Sequence, residues 1–264
     1  MATKLMSDNP VRYKQKGKPK RLIRKRTLLK RQMNDDTISA SEIDKRVVTG
    51  YKGLYNRKIK RLIDVVLATV ILAMVSPVFL IVSIAILAED GFPVFYRAQR
   101  GGYKGKTFKI CKFRSMIKNA EKAGGDTTAL NDKRITKVGS IIRKMKIDEF
   151  PNLINVIRGD MSFIGPRPEL LYYTNQYKGT EKLIFEVRPG MTDYSSIEFI
   201  NMDEIVGQGN EDEMYEQHVL PKKNKLRVKY AATVSFSTDV KLFFKTSWEV
   251  IEKCYGFIVK HEHR

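Results

Sequence analysis

The segment VVLATVILAMVSPVFLIVSIAILA, residues Val65 to Ala88, places the strongest constraint on the architecture of this chain. It contains 24 consecutive residues without a charge. At about 1.5 Å per residue, a helix of that length spans the hydrocarbon core of a bilayer. The segment begins too far from residue 1 for a cleavable signal peptide, and no small-x-small cleavage site follows it. We therefore expect a membrane protein with one apolar helix.

The middle and the flanks of this segment bear on how it meets the membrane. Ser76 and Pro77 lie at its middle, and proline removes a backbone donor and clashes with the preceding turn, so a break is expected there. The Ser76 hydroxyl can satisfy a backbone group that the break frees. Lys and Arg favour the cytoplasmic side of a membrane. Both flanks are basic: Arg57, Lys58, Lys60 and Arg61 precede the segment, and Arg97, Arg100, Lys104, Lys106, Lys109, Lys112 and Arg114 follow it.

Both flanks cannot be cytoplasmic if the helix spans the bilayer. A helix that breaks at Ser76-Pro77 and leaves by the face it entered satisfies both flanks. We therefore predict a re-entrant, helix-break-helix membrane segment over residues 59–90. A straight span and a buried soluble helix are the alternatives.

Residues 1–58 form a basic extension in front of the membrane segment. Residues 1–61 hold 19 Lys and Arg against 5 Asp and Glu, whereas the whole chain has a net charge of +20. The run KQKGKPKRLIRKRTLLKR, Lys14 to Arg31, contains no acid. We expect the extension to be disordered and to contact anionic lipids of the inner leaflet, each basic residue contributing roughly 1 kcal/mol. A solvated tail without a specific partner is the alternative.

The remaining residues, 91–264, have the composition of one folded cytoplasmic domain. A hydrophobic content of 42% excludes a wholly disordered chain. Two cysteines, Cys111 and Cys254, exclude a disulfide scaffold and a multi-cysteine zinc site. Apolar periodicity predicts strands at 94–99 and 107–113 and helices over 135–147, 150–157, 211–229 and 239–255. The predicted fold class is α+β: a mainly helical domain with a short β-hairpin, anchored by the re-entrant segment.

The last of these predicted helices has a marked apolar face. Val240, Phe243, Phe244, Trp248 and Ile251 recur there at helical spacing. Such a face is more typical of core packing than of membrane contact. We expect it to pack in the core, with membrane contact as the alternative.

The densest cluster of charged residues is RKMKIDEFPNLINVIRGDMSFIGPRP, residues 143–168. An ionised carboxylate beside Arg can hold Mg²⁺ or attack phosphorus directly. The Arg side chain binds two phosphate oxygens at once. Carboxylate, Mg²⁺ and Arg together are what phosphoryl transfer needs. An equal alternative is a capped helix with surface ion pairs. The carboxylates are Asp148, Glu149 and Asp160, and the basic residues are Arg143, Lys144, Lys146, Arg158 and Arg167.

A second cluster is QRGGYKGKTFKICKFRSM, residues 99–116. Lys112 and Arg114 can point at phosphate from a strand or its end. The glycine spacing matches neither a P-loop nor the dinucleotide-binding fingerprint. This cluster alone is therefore a weak indication.

These segments resemble the bacterial sugar transferases, the monotopic phosphoglycosyl transferases that begin lipid-linked glycan assembly. The matching segments are KRLIDVVLATVILAMVSPVFL, QRGGYKGKTFKICKFRSM, KIDEFPNLINVIRGDMSFIGPRP and RPGMTDYSSIEF, in that order over about 59–200. The resemblance implies transfer of sugar 1-phosphate from a UDP-sugar to a polyprenyl phosphate, usually undecaprenyl phosphate, with release of UMP. It also implies a covalent aspartyl-phosphosugar intermediate and a requirement for Mg²⁺. The chain resembles the small catalytic type of the family.

The resemblance assigns roles residue by residue. Asp148 is the expected nucleophile, and Glu149 is expected to bind Mg²⁺ and assist proton handling, with Asp160 as a further metal ligand. The expected phosphate-binding residues are Lys112, Arg143 and Arg167, and the expected helix-breaking pair is Ser76 and Pro77. Two positions depart from the common family pattern, which has Leu at Phe150 and Gly at Asp193. The second departure puts the identity of the donor in doubt.

The resemblance further implies a cell-membrane, monotopic protein whose catalytic domain faces the cytoplasm. Its expected partners are the UDP-sugar, polyprenyl phosphate and anionic lipids, without nucleic acid, and a homodimer stays open. The expected role is the first membrane step of exopolysaccharide, capsule or glycoconjugate synthesis. The alternative function is a basic membrane-anchored adapter that binds lipid or nucleic acid without catalysis. The clustered carboxylates Asp148 and Glu149 argue against it, since an anion binder gains nothing from them.

Overall fold

The computed structural model describes residues 50–120, 132–199 and 211–262. The helices are α1 (Lys60–Asp90), α2 (Lys137–Lys144), α3 (Asn152–Arg158), α4 (Leu171–Thr174), α5 (Tyr194–Glu198), α6 (Glu211–Met214), α7 (Leu220–Thr233) and α8 (Phe236–Glu262). The strands are β1 (Phe95–Gly101), β2 (Thr107–Phe113), β3 (Ser162–Ile164) and β4 (Gly190–Thr192). Short 3₁₀ or π-helical turns cover Gly50–Lys52, Tyr55–Ile59, Tyr103–Gly105, Ile147–Glu149, Gly179–Glu186 and Tyr215–Val219. The α+β prediction, mainly helical with a short hairpin, is confirmed.

The predicted basic extension falls mostly outside the described residues, because the description begins at residue 50. Residues 50–58, which the sequence assigns to that extension, are folded. They form the turns Gly50–Lys52 and Tyr55–Ile59. Asn56 is buried and donates to the Tyr51 carbonyl at 2.9 Å. The folded part of the chain therefore reaches further towards the N-terminus than predicted.

Helix α1 is the predicted apolar helix. Among the described residues it is the one helix long and apolar enough to cross a membrane: an 18-residue window within Tyr55–Asp90 has a mean hydropathy of 2.8, and only 11% of that window is buried. Its exposed side chains recur mostly at helical spacing along one face. They include Leu62, Val66, Val70, Met74, Leu80, Ile81 and Ile84.

The predicted break at Ser76-Pro77 is absent, because α1 is one continuous helix with Pro77 inside it. The missing N–H of Pro77 leaves the carbonyl four residues earlier, on Ala73, without its usual donor. The Ser76 hydroxyl donates to that same carbonyl at 2.8 Å. The predicted role of the serine is confirmed, and it explains why the helix continues through the proline. The placement of both ends of α1 on one face of the membrane stays a proposal.

Both halves of α1 pack against the domain that follows it. The first half, through Ala68, Ile71 and Leu72, joins a cluster with Leu153 and Val156 of α3. The second half, through Val82 and Ile86, joins a cluster with Phe113 of β2 and Ile142 of α2. The two clusters lie on either side of Pro77, so both halves of α1 contact the domain.

The two ends of α1 are also bound to the domain by hydrogen bonds. Near its start, Arg61 donates to the carbonyl of Val156 and, at 2.7 Å, to that of Ile157. At its end, Glu89 accepts from the backbone N–H groups of Lys137 and Val138 at 2.7 and 2.8 Å. These contacts hold the C-terminus of α3 and the N-terminus of α2, the two helices on either side of residues 145–151.

The β-hairpin agrees with the prediction to within two residues. Strands β1 and β2 pair antiparallel, with Phe95 opposite Phe113 and Gly101 opposite Thr107. Asn155 of α3 fixes the hairpin against this helix. Its side chain donates to the Lys109 carbonyl at 2.9 Å and accepts from the Cys111 N–H at 3.0 Å. Two backbone groups of β2 are thus held by one buried amide.

A short parallel pair, β3 with β4, is not predicted by the sequence. Ser162 lies opposite Gly190 and Ile164 opposite Thr192. The backbones after β3 and at β4 approach closely. A Cβ on Gly190 would lie 2.1 Å from the Gly165 nitrogen, and a Cβ on Gly165 would lie 2.3 Å from the Arg188 carbonyl oxygen. Glycine at both positions therefore allows the GPRP and RPGM segments to lie side by side.

The prediction that the whole apolar face of helix α8 packs in the core is only partly right. Leu242 is buried and Phe243 packs against the same core cluster. Phe244, Trp248 and Ile251 are exposed. The periodicity of the helix is confirmed, but only part of its apolar face meets the domain.

A buried polar network joins the start of α1 to the start of α8. Lys60 forms an ion pair with Asp239, and both side chains are buried. The same carboxylate accepts from the hydroxyls of Tyr55 and Tyr230, each at 2.7 Å. The Tyr230 hydroxyl oxygen also lies 2.9 Å from the Ile164 carbonyl oxygen, so its one proton serves either of two acceptors and β3 contacts the network.

Removing one partner of the Lys60–Asp239 ion pair tests how much the pair contributes to the stability of the fold. We expect Lys60→Met to destabilise the fold by about 3–5 kcal/mol, because Asp239 would remain as a buried charge without its cation. Thermal unfolding followed by circular dichroism in detergent measures the effect as a lower midpoint. Lys58→Met, at an exposed position two residues away, is the control and should change stability by about 0.5 kcal/mol or less. Equal effects of the two substitutions would contradict the network.

Candidate active site

The two adjacent carboxylates lie in the 3₁₀ turn Ile147–Glu149, between α2 and α3. Lys146 immediately before the turn has φ of 59° and ψ of 16°, in the left-handed region that a non-glycine residue seldom adopts. From Ile147 onward the backbone is right-handed, and Phe150 and Pro151 continue it into α3. The sharp change at Lys146 lets α2 end and the carboxylate turn begin within a few residues.

Glu149 is neutralised by two cations from other parts of the chain. The Arg167 guanidinium makes a two-pronged contact: Nη1 donates to Oε2 at 2.8 Å, and Nη2 donates to Oε1. Lys112 Nζ donates to Oε1 at 3.1 Å. Burial alone would raise the pKa of Glu149, but Arg167 and Lys112 hold this pKa well below its usual range. Glu149 is therefore ionised, and each of its oxygens already accepts a hydrogen bond.

Asp148 has a different environment, although it is the next residue. Its side chain is buried, and Oδ1 has no hydrogen-bond partner. Burial, followed by the charge of Glu149, raises the pKa of Asp148. Lys112, Arg143 and Lys146 act in the opposite direction. Asp148 is thus a carboxylate with an unengaged oxygen inside a cationic surrounding.

The fold brings the two cations that contact Glu149 from two different segments. Lys112 lies on β2, whose position against α3 is set by Asn155. Arg167 lies just after β3, and its Nη1 also donates to the Met191 carbonyl at 3.2 Å in the neighbouring RPGM segment. Burial lowers the pKa of Lys112, while Glu149 opposes that effect. The Glu149 carboxylate raises the pKa of Arg167.

Five predicted residues therefore come together: Asp148, Glu149, Lys112, Arg167 and, through its electrostatic effect on Asp148, Arg143. The predicted metal pair does not. Asp160 follows the C-terminus of α3, and a helix of 7 residues is about 10 Å long. Asp160 accepts there from Asn155 at 3.2 Å. Within residues 50–120, 132–199 and 211–262, no three His, Cys, Asp or Glu side chains are grouped to hold a metal ion.

Arg114, considered above as a phosphate ligand, faces another way. It is buried and donates to the carbonyls of Asp90 and Gly91 at 3.0 and 2.7 Å. It also pairs with the Asp90 carboxylate at 3.0 Å. Arg114 therefore binds the C-terminal end of α1, while Lys112, two residues earlier on the same chain, reaches Glu149.

A buried charged network around Glu169, two residues after Arg167, is not predicted by the sequence. Glu169 accepts from Arg227 Nη2 at 2.7 Å and from the Tyr215 hydroxyl. Burial would raise the pKa of Glu169, but Arg227 and Lys223 lower it to about 2. Burial and the charge of Arg227 lower the pKa of Lys223 to about 8. The partners are 46 to 58 residues from Glu169, so no local pattern could have paired them.

Two further residues contribute to the structure of this region, and the sequence indicates the role of one of them more clearly than that of the other. Lys146 lies in the charged cluster, and only its adjacency to Asp148 indicates a role. Asp193, the departure from the family pattern, is fully buried and caps α5 by accepting from the Ser196 N–H at 2.7 Å. Its position before Tyr194-Ser195-Ser196 is a recognisable N-cap signal. The departure therefore has a structural role in this chain.

The comparison with known proteins supports the same grouping of segments. The family model described as bacterial sugar transferase matches residues 55–253. This range contains α1, the hairpin, the carboxylate turn and the GPRP and RPGM segments. The chain belongs to the bacterial sugar transferase family.

Individual relatives show similarity over the same region. The UDP-glucose:undecaprenyl-phosphate glucose-1-phosphate transferase of Escherichia coli (strain K12) is 35% identical over 209 residues, 78% of this chain and 41% of that protein. The UDP-N-acetylgalactosamine-undecaprenyl-phosphate N-acetylgalactosaminephosphotransferase of Aeromonas hydrophila is 37% identical over 142 residues, 53% of this chain and 34% of that protein. The uncharacterized sugar transferase EpsL of Bacillus subtilis (strain 168) is 34% identical over 193 residues, 73% and 87% of the two chains. The chain thus spans less than half the length of the first two relatives.

The electrostatics of Asp148 lead to a prediction about pH. If Asp148 acts as an ionised nucleophile, turnover falls as the pH drops through its raised pKa. Lys146 lowers this pKa, so Lys146→Gln should raise it further and move the acid limb of the rate profile to higher pH. Lys144→Gln, an exposed position on the preceding helix, is the control and should leave the limb in place. The measurement is kcat against pH. An unmoved limb in Lys146→Gln would contradict the assignment.

Proposed function

We propose that this chain transfers sugar 1-phosphate from a UDP-sugar to undecaprenyl phosphate or another polyprenyl phosphate, giving a polyprenyl-diphosphate sugar and UMP. One observation carries the proposal: of two adjacent carboxylates, Glu149 is saturated by Arg167 and Lys112, whereas Asp148 keeps an unpartnered oxygen. Unequal environments give paired carboxylates different chemical roles. Family membership and the activities for which the relatives are named support the same reaction.

In the first step, an Asp148 carboxylate oxygen attacks the β-phosphorus of the UDP-sugar. The bond between that phosphorus and the oxygen bridging to the α-phosphate breaks, and UMP leaves with the electron pair. The sugar phosphate is then esterified to Asp148. Because Glu149 already neutralises part of the local positive charge without competing for phosphorus, Asp148 is the carboxylate left to react.

In the second step, an oxygen of the polyprenyl phosphate attacks the same phosphorus and displaces the Asp148 carboxylate. The cations that received the first phosphate then receive the second. Lys112 carries three donor hydrogens and Arg167 five, so each has donors beyond those that Glu149 and the Met191 carbonyl take. One cationic site therefore serves both phosphates in turn.

Mg²⁺ belongs to the proposal as the cofactor. When bound, it neutralises the diphosphate and stabilises the leaving UMP. The predicted pair Glu149 and Asp160 does not fit this task, because Glu149 is engaged by cations and Asp160 lies at the far end of α3. The unpartnered oxygen of Asp148 does fit, since carboxylate oxygens are the ligands that Mg²⁺ prefers.

We place the chain at the cytoplasmic face of the cell membrane, with both ends of α1 on that side. The contacts of Arg61 with α3 and of Glu89 with α2 support this placement, because a helix that crossed the bilayer would carry one end away from a domain on one side. At the headgroup level the domain meets both a soluble nucleotide sugar and the phosphate of a lipid. The basic residues within 1–49 would add contacts with anionic lipids. The reaction is the first membrane step of exopolysaccharide, capsule or glycoconjugate synthesis.

A membrane-anchored adapter without catalysis is the competing function. It would account for the basic composition and for α1. It gives no reason for a buried carboxylate with an unpartnered oxygen beside a second carboxylate held by two cations. The site therefore favours the transferase.

The activity test measures UMP release by the full chain in nanodiscs, across a panel of UDP-sugars. We expect release to require Mg²⁺ and polyprenyl phosphate for continued turnover. Asp148→Asn should reduce turnover by roughly a thousandfold or more, because the nucleophile is lost. Glu198→Gln removes one charge at an exposed position and should retain activity. Normal turnover by Asp148→Asn would remove the assigned nucleophile.

The topology test labels single cysteines on either side of α1. Arg57→Cys and Lys106→Cys, both at exposed positions, are made in a chain in which Cys111 and Cys254 are replaced by alanine. We expect a membrane-impermeant maleimide to react with both from the cytoplasmic side and with neither from the opposite side. Labelling of the two positions from opposite sides would show that α1 spans the membrane and would refute the placement.

A further inference from the structure

We propose that Asn152 is a ligand in a divalent-cation site whose protein part consists of its amide oxygen and the Asp148 carboxylate. The inference rests on the proposed function, since it names the residue that positions the cation and with it the nucleoside diphosphate. It replaces the predicted ligand Asp160 by a residue that lies one helical turn from the nucleophile.

The first observation is a pair of orphaned acceptors. Among the described residues, the buried side-chain atoms without a hydrogen-bond partner are Asp90 Oδ2, Arg114 Nη1, Asp148 Oδ1, Asn152 Oδ1 and Arg227 Nε. Asp90 and Arg114 lie 3.0 Å apart in an ion pair. The guanidinium of Arg227 is engaged through its other nitrogens. The remaining two atoms, on Asp148 and Asn152, are both acceptor oxygens and belong to one segment.

The second observation is their placement. Residues 147–149 form a 3₁₀ turn, Phe150 and Pro151 have right-handed φ and ψ, and α3 begins at Asn152. Side chains four residues apart on such a helical backbone lie on the same face. Asp148 is 8% exposed and Asn152 is 2% exposed. Two buried oxygens that can act as metal ligands therefore lie on the same face, one turn apart.

The chemistry of these oxygens selects the ligand. A buried acceptor without a partner is unfavourable, so native structures seldom keep one without a reason. The neighbouring cations Lys112 and Arg167 are directed to Glu149. Amide and carboxylate oxygens are hard donors, and Mg²⁺ sites commonly take one or two of them and complete the shell with phosphate oxygens and water. A carboxylate also has two oxygens, so one can hold a cation while the other faces phosphorus.

Cation binding can be measured separately from turnover. Mn²⁺, which is paramagnetic and replaces Mg²⁺ in oxygen sites, is titrated into the full chain in detergent, with and without UDP, and free Mn²⁺ is followed by electron paramagnetic resonance. We expect Asn152→Leu, which is close in size but has no acceptor, to weaken Mn²⁺ binding roughly tenfold or more. Asn152→Asp, which keeps an oxygen donor, should bind Mn²⁺ at least as tightly as the wild type. Asn175→Asp, at an exposed position, is the control for the added charge and should have no effect.

Unchanged Mn²⁺ affinity in a folded Asn152→Leu would overturn the proposal and leave the amide oxygen to a buried water. If Asn152→Leu fails to fold by circular dichroism, Asn152→Asp decides: weaker binding than the wild type would overturn the proposal. UMP release is measured on the same samples. Mn²⁺ binding that depends on Asn152 without UMP release from any UDP-sugar would refute the proposed function and keep the site. UMP release together with Mn²⁺ binding that does not depend on Asn152 would refute the cation site and keep the proposed function.

Discussion

The ion pair of Glu149 with Arg167 and Lys112 is the interaction on which the rest of the site depends. It joins the carboxylate turn, the segment after β3 and strand β2. Two adjacent buried carboxylates repel each other, and two cations directed at one of them relieve that repulsion. The other, Asp148, then stays without a partner at one oxygen. Loss of either cation would leave Glu149 with one partner instead of two and would remove one of the links between these segments. The pair thus holds three segments together and also separates the roles of the two carboxylates.

Helix α1, the candidate membrane anchor, also holds the two helices on either side of the site. Arg61 holds the C-terminus of α3, and Glu89 holds the N-terminus of α2. Asp148 lies between these two helices, so the helices on both sides of Asp148 are attached to α1. Arg114 adds a link from β2 to the end of α1, two residues after Lys112. Hydrogen bonds at both ends of the apolar helix therefore fix the position of the site relative to α1.

Local patterns predicted those parts of the molecule that depend on neighbours in sequence. The 24-residue apolar run gave α1, and alternation with glycines gave β1 and β2 to within two residues. The pairing of Glu149 with Arg167 depends on the parallel pair β3 and β4, which is too short to leave a periodic signal. The family resemblance implied that Asp160 is a metal ligand, and the sequence alone does not show that α3 lies between Asp160 and Asp148. The proline rule predicted a break at Pro77, and one hydrogen bond from Ser76 to the Ala73 carbonyl accounts for the continuous helix.

The central claim, that Asp148 carries the sugar phosphate between donor and acceptor, is tested most directly by intact-protein mass spectrometry. The full chain is incubated with Mg²⁺ and its UDP-sugar in the absence of polyprenyl phosphate and then digested to locate any adduct. The account predicts a mass increase of one sugar phosphate on the peptide that contains Asp148, which disappears when polyprenyl phosphate is added. Active enzyme that never shows this adduct, together with single-displacement kinetics, would contradict it.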